Sequence, residues 1–181
     1  MTRAAGKLVA VDGINAAAIK AGARAALAAA DRRSRGGVSA WDASGIFQEL
    51  AVADEEAGLP SARTLMLLYA ADLSFRLRWE IRPAVESGRV VVAAPYVHTA
   101  IAFGRAAGLP GGWLVDLFAF APTPAELQIV DAAPARSAAQ RDGFIEYGIE
   151  RVAALPHGLS RQQLLERAQA HLRTAARKKR A

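Results

Sequence analysis

The chain has 181 residues, no cysteine, 52% hydrophobic residues and a formal net charge of +6. That length and apolar content suit one compact domain and exclude collagen-like or wholly disordered chains, while the lack of cysteine excludes a disulfide scaffold and any thiolate metal site. No apolar run approaches the roughly 20 residues needed to span a bilayer, and Met1 to Lys7 has no signal-peptide pattern, so a cytoplasmic protein without membrane association is expected. The charge is uneven. Arg173, Arg177, Lys178, Lys179 and Arg180 supply five of the 23 basic residues, and the remaining eighteen face seventeen acids. A nearly neutral domain over residues 1–172 thus carries a basic tail at 173–181. Such a tail fits a solvated helix end, and contact with nucleic acid or an acidic partner is only weakly suggested.

Lys7–Asp12 reads as a buried parallel strand that enters a loop at Gly13. Ala16–Ala30 is an Ala-rich helix, Asp31–Gly37 a polar loop and Val38–Trp41 a second strand. Gly45–Ala57 reads as a helix closed by Gly58 and Pro60. Ser61–Val85 is a long helical stretch with Ser61 as its N-cap, ended by Gly88. Arg89–Ala94 is a third strand, followed by helices over Val97–Ala107 and Gly111–Phe120. Glu126–Asp131 is a fourth strand, Ala135–Glu150 a helix and Arg151–Leu155 a fifth, short strand. The last helix covers Ser160–Arg177, with Ser160 and Gln163 spaced as a capping box. This alternation predicts an α/β fold with a parallel sheet of about five strands and helices on both faces. Ligands then bind beyond the carboxyl ends of the strands, where the loops after Asp12, Trp41, Ala94 and Asp131 converge.

The first strand–loop–helix is the place for a phosphate cradle. That device needs glycines that let backbone N–H groups wrap the phosphates, a Lys on the phosphates and a hydroxyl on Mg²⁺. Here the run is Gly13-Ile14-Asn15-Ala16-Ala17-Ala18-Ile19-Lys20-Ala21. Ala16 and Ala18 stand where glycines belong, Ile19 where the Lys belongs and Lys20 where the hydroxyl belongs.

Several segments together resemble the thymidylate kinases, a family of P-loop nucleoside monophosphate kinases. Val11-Asp12-Gly13-Ile14-Asn15 is similar to the family's strand and P-loop start, and Leu67-Leu68-Tyr69-Ala70-Ala71-Asp72 to its Leu-Leu-Phe-Ala-Ala-Asp-Arg helix. Ile81-Arg82-Pro83-Ala84-Val85-Glu86-Ser87-Gly88-Arg89-Val90-Val91 is similar to its Ile-Arg-Pro-Ala-Leu-x-x-Gly-x-Val-Val run. Tyr96 to Phe103, Trp113 to Phe120 and Leu127 to Pro134 follow in the family's order. The resemblance implies a P-loop NTPase-like sheet. It also implies a phosphate loop at Gly13, Asn15 and Lys20, and a nucleoside pocket at Tyr69, Asp72, Tyr96 and Thr99, both vestigial.

The departures from the family pattern concern charge. The family Asp-Arg before Tyr96 is Ala94-Pro95, the Arg after Asp72 is Leu73, the P-loop Lys is Ile19, and the acid within the loop is Asn15. The lid is shortened to residues 135–150, with only Arg136 and Arg141. Phosphoryl transfer depends on positioning and on stabilisation by Lys, Arg and Mg²⁺. The expectation is therefore a catalytically inactive pseudoenzyme with a structural, regulatory or partner-binding role, no catalytic residue, no metal site and no cofactor, and at most weak nucleotide binding. Two alternatives stay open: an active dTMP kinase with an atypical P-loop, using ATP and Mg²⁺, and a binding module that acts through the basic tail. Tyr69, Phe75 and Phe103 equally fit plain core aromatics, and Asp72 with Arg76 fits an i, i+4 helix pair. His98, His157 and His171 lack metal-ligand spacing. Ile46, Phe47, Leu50, Leu65, Leu68 and Trp79 form a candidate apolar face for a homodimer, the family's habit, or for a heteromeric partner, though a core-facing stripe gives the same pattern.

Overall fold

The structure is a computed structural model that describes residues 5–130 and 143–178. The side chains at 53–57, 157 and 178 are not described. Four strands form a parallel sheet in the order β2-β3-β1-β4: β1 (Lys7–Asp12), β2 (Arg35–Ala40), β3 (Val90–Ala94) and β4 (Glu126–Ile129). Val9 lies opposite both Val92 of β3 and Glu126 of β4, and β2 pairs with β3 through a shift between Arg35 and Gly37.

Side-chain alternation along the strands feeds two cores. Leu8, Ala10, Val91 and Ala93 face a large core built with α3 (Ala62–Arg76), α5 (Val97–Ala106), α6 (Gly111–Leu117), α7 (Phe144–Arg151) and α8 (Arg161–Lys178). Val9, Val11, Val92 and Ala94 face the other way, onto Ile19 and Ala23 of α1 (Ala16–Ala29). α2 (Ile46–Ala57) follows β2. The long helical stretch is α3, a π-helical turn over Leu77–Ile81 and α4 (Arg82–Glu86) in succession. Its Ser61 accepts from the Thr64 N–H, as an N-cap does. The capping box at α8 is reciprocal: the Ser160 N–H donates to Gln163 Oε1 at 2.8 Å, and the Gln163 N–H to Ser160 Oγ at 3.2 Å.

The expected strand at Arg151–Leu155 is not one. Arg151 ends α7, and the Ala153 N–H donates to the Pro60 carbonyl, 2.9 Å, rather than to a strand edge. A four-residue apolar run does not by itself separate strand from core-packed loop. β2 starts three residues earlier than expected, at Arg35, and β4 ends at Ile129. Asp131, Arg136, Arg141, the first half of the expected 135–150 helix and residues 179–181 of the tail lie outside the described residues. The α7 that is described covers the end of that helix. No helix among the described residues is long and apolar enough to cross a membrane.

Candidate functional site

The carboxyl ends of β1, β2 and β3 and the N-termini of α1, α2 and α5 meet at one edge of the sheet. A helix N-terminus carries partial positive charge and unpaired N–H groups, so each of these attracts an anion. In this chain each is met by one of its own carboxylates. Asp12, fully buried at the end of β1, accepts from the Tyr96 N–H at 2.8 Å, the Thr99 N–H at 3.0 Å and the His98 N–H at 3.3 Å, and so caps α5. Asp42, after β2, accepts from the Phe47 and Gln48 N–H groups at 2.8 and 3.0 Å and caps α2. Glu146, on α7, accepts from the Ala16 N–H at 2.9 Å and from Asn15 Nδ2 at 3.4 Å, at the start of α1.

Gly13, Asn15 and Lys20 are placed as follows. The turn between β1 and α1 has only three residues, because Ala16 is already helical. The Gly13 N–H donates to Thr99 Oγ1 at 3.0 Å, and that hydroxyl donates back to the Gly13 carbonyl at 3.1 Å. Asn15 is the N-cap of α1, its Oδ1 accepting from the Ala18 N–H at 3.0 Å, and the Ile19 N–H bonds along the helix to the Asn15 carbonyl. The backbone N–H groups of Gly13, Ala16, Ala18 and Ile19 thus point at protein atoms. A Cβ on Gly13 would stand 2.7 Å from Val130 Cγ2, so the glycine permits close packing of β4's end on this turn. Lys20, on the exposed flank of α1, lines an open cleft of about 490 Å³ with Trp41, Asp42, Phe47, Gln48 and Tyr147.

Tyr69, Asp72, Tyr96 and Thr99 lie close to the same edge, all buried. Tyr69 donates its hydroxyl to the Tyr96 carbonyl at 2.6 Å, and its ring packs 4.4 Å from that of Phe144 and 6.0 Å from that of Phe118. The Tyr96 hydroxyl donates to the Pro122 carbonyl at 2.7 Å. Burial pushes both phenols above their ordinary pKa, against the nearby positive charge of Arg76. The volume beside Tyr69 holds an aromatic cluster of Trp41, Phe47, Phe103, Phe144 and Tyr147. Asp72 organises the loop after β2: its carboxylate accepts from the N–H groups of Asp42 and Ser44 and from Ser44 Oγ. It also sits 3.8 Å from Arg76, the i, i+4 pair that the spacing suggested, with both side chains fully buried. Arg76 further donates to Ser39 Oγ, the Ser39 carbonyl and the Pro95 carbonyl.

Asp42 holds a left-handed backbone, φ 58°, unusual outside glycine but tolerated by Asp. Burial raises its pKa first; the Phe47 and Gln48 N–H groups lower it and the Asp72 charge raises it. The sequence reading singles out neither Asp42 nor Glu146. A capping residue a few positions before a helix is legible for Asp42, whereas nothing local marks Glu146, 130 residues from its partner. Among the described residues no group of three or more His, Asp and Glu is placed to share a metal ion.

Known proteins give a consistent picture. No family model matches the chain. The probable thymidylate kinase of Thermococcus gammatolerans is 40% identical over 65 residues, 36% of this chain and 31% of that protein. The thymidylate kinase of Symbiobacterium thermophilum is 33% identical over 117 residues, 62% of this chain and 55% of that protein. The crystal structure of thymidylate kinase from Ehrlichia chaffeensis superposes with a TM-score of 0.66 at 10% identity, covering 96% of this chain and 87% of that one. The chain is a relative of the thymidylate kinases, with their P-loop fold. Its matched segments span about a third of the length of the first of these relatives and about half of the second.

Kinship to thymidylate kinases corrects one expectation. The absence of a cofactor does not stand, since these relatives imply ATP and Mg²⁺. The residues at the turn of this thymidylate kinase relative, as folded here, do not fit a polyphosphate. The glycine-rich wrap is replaced by the first turn of α1, and a carboxylate already holds the Ala16 N–H.

Proposed function

We propose that this thymidylate kinase relative is a catalytically inactive protein with a structural, regulatory or partner-binding role, retaining at most weak nucleotide binding. The observation that carries this reading is the charge at the carboxyl edge of the sheet. Transfer of a phosphoryl group needs cations aimed at the transferring oxygens. Here the three helix ends at that edge are met by Asp12, Asp42 and Glu146. Arg76, the one buried cation among the described residues, is engaged by Asp72, Ser39 and the Pro95 carbonyl. ATP and Mg²⁺ come to this chain from its relatives as the ligands to test, and no chemical step is assigned to them.

The test is direct. Purified protein is incubated with ATP, Mg²⁺ and dTMP, and nucleotides are separated by chromatography. The expected outcome is no dTDP above the protein-free blank, together with a rise in Tm on adding nucleotide, since a ligand that binds only the folded state stabilises it. Formation of dTDP that disappears in Lys20→Ala establishes the active kinase instead.

A second copy of the chain is the proposed partner. Phe47 and Leu65, expected on an outer apolar face, are core residues, 1% and 0% exposed. Leu67 and Phe75, two turns apart on α3, and Trp79 on the π-helical turn instead lie exposed. Light scattering coupled to size exclusion tests this: a dimer that Trp79→Lys turns into a monomer supports it, and a monomeric wild type refutes it.

A further inference from the structure

We propose that α7 is an internal plug, with the Glu146 carboxylate competing against phosphate-bearing ligands for the N-terminus of α1. The proposal rests on reading the turn between β1 and α1 as the counterpart of a phosphate cradle, and it goes beyond the question of turnover.

Two side chains of one short helix enter the two halves of the candidate site. Glu146 reaches the phosphate half, where it accepts from the Ala16 N–H at 2.9 Å and from Asn15 Nδ2 at 3.4 Å. Those are the donor types, a helix-terminal N–H and a side-chain amide, that hold a phosphate oxygen. Phe144, two residues earlier and fully buried, enters the aromatic half, with its ring 4.4 Å from Tyr69 and 5.5 Å from Phe103. The fit is close at the start of the helix. A Cβ on Gly143 would run into Glu146 Oε2 and stand 3.0 Å from Ala16 Cβ, so a larger residue there would displace the carboxylate from its seat.

A carboxylate and a phosphate oxygen cannot share one N–H, and their negative charges repel each other in a site of low dielectric. Binding of a phosphate group at Ala16 therefore requires the Glu146 carboxylate to leave, and in the proposed device α7, whose Phe144 is seated in the same site, withdraws with it. The apparent affinity falls by the population of the withdrawn state. The device thus reconciles a chain whose relatives imply ATP with a cradle that is already filled.

The probe is inorganic pyrophosphate, titrated into the full chain at fixed ionic strength and followed by calorimetry. Glu146→Gln keeps an oxygen for the Ala16 N–H but removes the charge. Glu166→Gln, on the exposed face of α8, removes the same charge elsewhere. A charge-assisted hydrogen bond is worth about ten- to a hundred-fold in an equilibrium. Glu146→Gln should therefore bind pyrophosphate at least about ten-fold tighter than wild type, while Glu166→Gln matches wild type. A readout that needs no variant is hydrogen exchange on the wild-type chain. Saturating pyrophosphate should speed exchange in residues 144–151 and slow it at Ala16. Equal affinities for the two variants, no binding by Glu146→Gln, or protection of residues 144–151 on binding would overturn the proposal. Pyrophosphate carries no nucleoside and is not turned over, so this comparison can fail while the non-catalytic reading holds, and the reverse.

Discussion

Phe144 is the side chain on which the packing of α7 most depends, and truncating it gives the sharpest test of the folded site. The residue is fully buried, and its ring meets four others: Tyr69 at 4.4 Å, Phe103 at 5.5 Å, Phe47 at 5.7 Å and Trp41 at 5.9 Å between centroids. Truncating a buried Phe to Ala costs about 3–5 kcal/mol. Each aromatic pair adds about 0.5–1.5 kcal/mol beyond the area buried, and four such pairs place Phe144→Ala at the upper end, about 4–5 kcal/mol. A domain of this size is stable by about 5–15 kcal/mol, so the variant should fold but melt early, by roughly 8–20 °C at about 2–4 °C per kcal/mol. The assay is urea unfolding followed by far-ultraviolet circular dichroism and by tryptophan fluorescence, to which Trp41 in the same cluster contributes. Phe120→Ala is the control. Phe120 is 40% exposed, and its one ring contact among the described residues is with Phe118 at 6.5 Å. It should cost no more than about 1 kcal/mol. If the two variants lose equal stability, the aromatic cluster is not the packed centre described here, and the picture of α7 as a seated helix fails with it.

Three other outcomes follow from single features. Asp72→Ala strands Arg76 in the core and removes the acceptor for Asp42, Ser44 and Ser44 Oγ, so it should cost about 3–5 kcal/mol in chemical denaturation. Gly148→Ala adds a Cβ 2.6 Å from Phe103 Cζ, in a ring that cannot swing away, so it should destabilise by about 1–3 kcal/mol despite the better helix propensity of Ala. A gain in midpoint there would refute the close approach of α7 to α5. Burial lowers the pKa of His171 on α8, helped by the charges of Arg105 and Arg167. The unfolded chain then binds the proton first as pH falls. The contribution is fully present above the unfolded value of about 6.5 and is lost as pH drops through the depressed folded value. Urea midpoints should fall from pH 7.5 to 5.5 more steeply for wild type than for His171→Gln; parallel profiles would contradict this sign.

Much of the frame was legible because its causes are local. The buried runs at Lys7–Asp12 and Val90–Ala94 read as central strands and pair as β1 and β3. Ser61 and Ser160 read as caps because the spacing from cap to partner is fixed at three residues. The Asp72–Arg76 pair was legible for the same reason, since one turn of helix sets its distance. Arg151–Leu155 failed because four apolar residues carry too little pattern to choose between an edge strand and a packed loop. Trp79 and Leu65 look alike in a list of apolar residues, yet the π-helical turn leaves Trp79 62% exposed while Leu65 is fully buried.

The electrostatics of the site show what sequence can and cannot carry. Against the family pattern that the sequence resembles, Ile19, Leu73, Ala94 and Pro95 each mark a single position where a charged residue is expected. They do not announce what neutralises the helix ends. A parallel sheet aims the N-termini of its following helices at the same edge whatever the side chains are, so that edge is electropositive even without arginines. Burying those ends without partners costs roughly 1–3 kcal/mol for each N–H, so a chain that keeps the fold gains stability from any carboxylate placed there. Asp12 does this from the strand end and Asp42 from the following loop, both within the reach of local rules. Glu146 does it from 130 residues away, where the packing of Phe144 and Gly148 on Phe103 helps to seat α7 with its carboxylate at Ala16. That carboxylate is thus placed by the tertiary fold, and no local motif could have announced it.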